Sequence, residues 1–157
     1  MSLIALITWI ITAMAGLYLL AIWLIEYDPE FQSAAATRLP VPVVVCHVLL
    51  AVGGLGVWLA YLVTDRDLFA WAALAVLSVV VSFGLAMALR WIGVYRGTSV
   101  SAATTAAAGR SRGERFQAQV AVPPERHFPV SVVVGHGFFA VITVILVLLT
   151  TLGLGGS

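Results

Sequence analysis

The sequence predicts an all-α integral membrane protein, a four-helix bundle built from two parallel two-helix repeats. Three observations point there. First, the 157 residues are 62% hydrophobic and only 10% charged, with a mean hydropathy of +1.08, whereas an ordinary soluble domain carries about 25% charged residues. Second, four apolar runs, at about 3–25, 41–63, 68–92 and 130–152, each supply the ~20 residues a helix needs to cross a bilayer, and none contains an acidic residue. Third, the phrase LPVPVVVCHVLLAV at 39–52 returns as FPVSVVVGHGFFAV at 128–141.

The first run has no basic n-region, and its apolar stretch exceeds the ~7–15 residues of a signal-peptide core, so it is expected to be a retained helix. The second and fourth runs each begin at a proline, Pro40 and Pro129, which forfeits no intrahelical hydrogen bond in the first turn. Between the second and third runs only Thr64-Asp65-Arg66-Asp67 intervenes, so those helices should be antiparallel neighbours. The third connection is long. Its GTSVSAATTAAAGRSRG stretch cannot bury a core, which predicts a flexible cytoplasmic loop over about 97–125. That loop, ending in Pro123-Pro124-Glu125-Arg126-His127, reads as a solvated basic linker or, alternatively, a partner-docking segment.

Charge sets the expected orientation. All eight basic residues are arginine. Arg38, Arg90, Arg96, Arg110, Arg112, Arg115 and Arg126 share one side, and only Arg66 lies on the other. The positive-inside rule then places the first and third loops in the cytoplasm and both termini outside. The absence of lysine suits a GC-rich bacterial gene, hence a bacterial cytoplasmic (inner) membrane. Nothing in a formal charge of +1 suggests a nucleic-acid partner, and the lone Cys46 admits no internal disulfide.

The duplication extends beyond the opening phrase. The informative matches there are Pro40 with Pro129, His47 with His136, and Ala51 with Ala140, since valines match cheaply in membrane sequence. The ends of the first and third runs, GLYLLAIWLIEY and GLAMALRWIGVY, align Gly16, Leu17, Trp23 and Tyr27 with Gly84, Leu85, Trp91 and Tyr95 at one offset. Both copies share one orientation, so the repeat is parallel, with its axis along the membrane normal.

Each histidine follows its proline by seven residues, about 10 Å into the helix at 1.5 Å per residue. A titratable ring in hydrocarbon is costly unless it faces the bundle and has a partner, so both are functional candidates. Helices two and four of an up-down bundle lie on a diagonal. Two imidazoles facing across it at equal depth are the arrangement that six-coordinate haem b requires. Ala51 and Ala140, one turn past His47 and His136, leave room for a flat ring, and Gly16 and Gly84 are expected about one turn deeper than the histidines. Arg90 interrupts an apolar helix and is the candidate partner for a haem propionate, with Arg38, Arg126 and His127 at the same surface.

Four helices with histidines on alternate helices resemble the small membrane cytochromes b, of the cytochrome b561-like and respiratory-anchor types. That resemblance is architectural and covers the whole chain. It implies haem ligation by paired helix histidines and electron transfer between quinone and a partner, as in a subunit of a respiratory complex. Two-haem members need four ligand histidines. Only His47 and His136 lie within helices here, which would restrict this chain to one haem.

Other readings stand beside it. The histidines would also serve as interhelical hydrogen-bonders, although such bonds average only ~0.6 kcal/mol, and a proton-relay or quinone role is a third use. A bare zinc or copper site has too few ligands, because Cys46, adjacent to His47, points to another face. Trp23, Tyr27, Trp91 and Tyr95 are expected in interfacial aromatic belts. Glu26, Asp28 and Glu30 mark the solvated end of helix one or, alternatively, proton acceptors near a quinone. A non-catalytic accessory or scaffold subunit of a larger membrane assembly is the alternative function, and a homo-oligomer a third. Phosphate loops, nucleophile elbows and HExxH are absent.

Overall fold

The computed structural model describes residues 1–26, 39–108 and 124–154. Tyr27, Asp28, Glu30, Arg38, Arg110, Arg112 and Arg115, with the connection from 109 to 123, lie outside them. All regular structure among the described residues is helical: α1 (Ser2–Ile25), α2 (Val41–Thr64), α3 (Asp67–Ala108), a 3-10 turn (Pro124–His127) and α4 (Val130–Thr151). Four stretches are long and apolar enough to cross a membrane: α1, α2, the Asp67–Gly93 part of α3, and α4.

The repeated prolines start their helices in the same way. Pro40 (φ −65°, ψ 123°) and Pro129 (φ −63°, ψ 123°) are extended N-caps. Their carbonyls accept from Val43 and Val44, and from Val132 and Val133, respectively. The α2–α3 reversal turns on Asp65, whose φ of 52° lies in the left-handed region that an Asp tolerates better than most residues. Its N–H donates to the Tyr61 carbonyl at 2.8 Å.

One expected boundary differs. A helix ending at 92 and a loop from 97 follow from composition, yet the helical backbone reaches Ala108. The stretch expected to be unstructured is alanine-rich, and alanine has the highest helix propensity, so a helix already nucleated in the apolar span propagates through it. Inability to bury a core does not prevent a stretch from being helical.

In cross-section α1 packs along α4 and α2 along α3, with α3–α4 and α1–α2 contacts closing the ring. Among the described residues, α2 and α4 approach only across the diagonal, as do α1 and α3. Two apolar layers fill the interior. One layer contains Ala5, Trp9, Trp58, Ala70, Ala73, Leu77 and Val147. The other, nearer the α1 C-terminus, contains Trp23, Leu39 and Val44, flanked by Leu20, Met87 and Phe128. Gly54 lets the first layer close, since a Cβ there would meet Val76 Cγ1 at 3.0 Å and Trp9 Cζ2 at 3.2 Å. The outer faces carry large exposed apolar side chains such as Leu3, Ile7, Leu49, Val52, Leu85, Leu89 and Phe138.

Candidate functional site

His47 and His136 lie between the two apolar layers. Along α1 the sequence of levels is Trp9, then Thr12 and Gly16, then Leu20 and Trp23; along α3 it is Leu77, then Val80 and Gly84, then Met87 and Trp91. His47 sits one turn past Val44 on α2, and His136 holds the matching place on α4. Their ring centroids are 6.4 Å apart with planes inclined at 59°. Both rings are half-buried.

Each ring is held by the helix beside it. His47 Nδ1 is 3.0 Å from the Val80 carbonyl of α3, and His136 Nδ1 is 2.9 Å from the Thr12 carbonyl of α1. A carbonyl oxygen only accepts, so in both bonds Nδ1 carries the proton and donates. The neutral ring then has its lone pair on Nε2. Gly16 and Gly84 flank these bonds. A Cβ at Gly16 would lie 3.0 Å from His136 Cε1, and one at Gly84 would lie 3.2 Å from His47 Cε1. The glycines are therefore level with the imidazoles rather than one turn deeper. The expected offset counted residues from the helix ends and ignored the reach of the histidine side chain.

Val80 and Gly84 stand 68 positions after Thr12 and Gly16, the same shift that relates Trp23 to Trp91. Other interior positions obey it too. Ala5 pairs with Ala73, and both are fully buried; 89 positions separate His47 from His136 and likewise Trp58 from Val147, again both fully buried.

The remaining candidates are placed as follows. Ala51 and Ala140 are half-buried one turn beyond the rings. Arg90 is exposed; six residues past Gly84, it is about 120° around α3 from the glycine face. Arg126 and His127 are exposed at the same end, where His127 Nδ1 lies 3.8 Å from Glu26 Oε2. Trp23 and Trp91 are only 4% and 8% exposed, so they are interior packing rather than a lipid-facing belt. Their depth suits a belt, but their faces turn inward. Tyr95, 49% exposed, does face out.

Glu125 is a residue that the sequence does not single out. It is fully buried, its Oε1 accepts the Leu39 N–H at 3.2 Å, and its carbonyl accepts the Trp91 indole N–H at 3.1 Å. One residue thus ties together the 3-10 turn, the approach to α2, and α3. The available signal was a carboxylate a few residues before an apolar helix, in a chain with few acids.

Two imidazoles bound to one metal at about 2.0–2.1 Å would put their ring centroids about 6 Å apart, close to the observed spacing. Among the described residues no three His, Cys, Asp or Glu side chains gather as a metal site. If both Nε2 atoms acted as donors, the chain would offer two nitrogens, and any metal held there would need further ligands of its own. Comparisons of the chain with protein-family models, with curated proteins and with solved structures give no match.

Proposed function

We propose that this chain is an integral membrane protein that holds one haem b between α2 and α4, with His47 and His136 as axial ligands, in an electron-transfer or quinone-linked role. The observation that carries the reading is the close histidine pair, 6.4 Å between centroids, with both Nδ1 positions committed to carbonyls. Haem, when bound, supplies one-electron redox chemistry. The chain's own part is to present two Nε2 lone pairs, hold each ring by its Nδ1–H, and exclude water with the apolar layers on either side. Arg90 would reach a propionate only by extending around α3 toward the membrane surface.

Exposed apolar faces on all four helices, with only 11–17% of each span buried, support a lipid environment. The arginine bias supports a bacterial cytoplasmic membrane, with the Glu125 end inside and both termini outside. The paired burial of Ala5 with Ala73 and Trp58 with Val147 supports two parallel repeats. A quinone and other respiratory-complex subunits are the partners in this reading. Titrating the purified protein with haem tests it: saturation at one haem per chain, with the spectrum of a low-spin bis-imidazole complex, is expected. Unsaturable, nonspecific uptake would refute it.

The Nδ1–carbonyl bonds favour a second reading, in which the histidines only bind α2 to α3 and α4 to α1 within an accessory or scaffold subunit. In that case His47→Gln and His136→Gln would lower stability, and haem would not bind.

A further inference from the structure

In an α-helix the carbonyl of residue i already accepts the N–H of residue i+4, but its oxygen has a second lone pair. The side chain of residue i+4 normally leans back over that oxygen, because helical side chains cover the turn N-terminal to their own Cα. Thr12 and Gly16 stand in this relation, as do Val80 and Gly84. In each pair the position whose side chain would shield the carbonyl has none, and an imidazole occupies the space. His136 Cε1 and His47 Cε1 come within 3.0 and 3.2 Å of where a Cβ would be. The same construction appears on α1 and α3, each serving the histidine of the other sequence copy. By contrast, Gly53, Gly56, Gly93, Gly135 and Gly137 have nothing within 4 Å of a built Cβ. Glycine is therefore not interchangeable across this chain.

We propose that Gly16 and Gly84 are positioning residues. By uncovering the Thr12 and Val80 carbonyls, they fix His136 and His47 as Nδ1–H tautomers and keep both Nε2 lone pairs available to one shared metal centre. The role of those lone pairs rests on the haem reading above; the tautomer assignment does not. A histidine ligand whose Nδ1–H is held by a carbonyl is a more basic donor, and a stronger donor favours oxidised iron. Losing one clamp is therefore expected to raise the reduction potential.

Full-length protein carrying isotope-labelled histidine nitrogen, with His127→Gln to simplify the spectrum, tests the clamp by NMR without haem. Both rings should report the Nδ1–H tautomer. Gly84→Ala should move His47 toward a mixture while leaving His136 unchanged, and Gly16→Ala should do the reverse. Nε2–H rings in the parent protein, or unchanged tautomers in both folded variants, would overturn the proposal, and the parent spectrum decides the tautomer even where a variant does not fold. In haem-loaded protein, an upward shift of midpoint potential in Gly84→Ala is expected, and an unchanged potential would overturn the ligand-tuning part. Failure of the parent to take haem, with the tautomers as expected, would sink the haem reading and leave the clamp standing.

Discussion

Whether a glycine in this bundle is replaceable depends on what faces it. Gly54 lies against Trp9 and Val76 at 3.2 and 3.0 Å from a built Cβ, in a layer with little room to give. Gly54→Ala should therefore destabilise the protein by ~1–3 kcal/mol through overpacking. Gly53→Ala and Gly56→Ala, facing open space, should be neutral or gain up to ~1 kcal/mol from helix propensity. Thermal unfolding in one detergent, followed by tryptophan fluorescence, would compare the three. Equal losses at all three positions would mean that the close approach at Gly54 is not what matters. At this scale the sequence marks the two histidines, because a polar ring inside an apolar run stands out. It does not mark the carbonyls of Thr12 and Val80, since a backbone acceptor has no letter of its own, and side-chain identity at those positions is free to differ.

The helical elements are legible from hydropathy because each apolar run is long and ends at a proline, a charged turn or a polar stretch. What ties their ends together is not. The 3-10 turn carries Glu125, whose environment is formed by Leu39 and Trp91, both remote in sequence, so a local reading leaves it in solvent. Glu125→Ala would remove the carboxylate that accepts the buried Leu39 N–H, at a cost of ~1–3 kcal/mol. Glu125→Gln keeps an oxygen acceptor and should cost less. Hydrogen–deuterium exchange at residues 39–44 is the local readout: protection should fall in the alanine variant more than in the glutamine variant. Equal protection in both variants and the parent would remove Glu125 from its tying role. The helical continuation of α3 to Ala108 is likewise hidden, because alanine, serine and threonine in a polar stretch read as linker when only burial is considered.

For the whole molecule, the arginine bias of the sequence predicts an orientation with both termini outside. With Cys46→Ser as background, a cysteine at Arg66 should react with a membrane-impermeant maleimide added outside intact cells, and a cysteine at Arg126 should react only after lysis. The reverse pattern would invert the topology. The repeated phrase is visible in the sequence, but not the contacts that hold its histidines, in which α1 grips the histidine of α4 and α3 that of α2. Sequence similarity identifies equivalent helices without saying which ones touch. Whether His47 and His136 share one iron is decided by a dithionite-reduced minus oxidised absorption spectrum of the protein expressed with haem supplied, alongside His47→Ala and His136→Ala. A sharp b-type α band in the parent, lost in either variant, is the predicted result; a colourless parent protein, or a band that survives both substitutions, would contradict it.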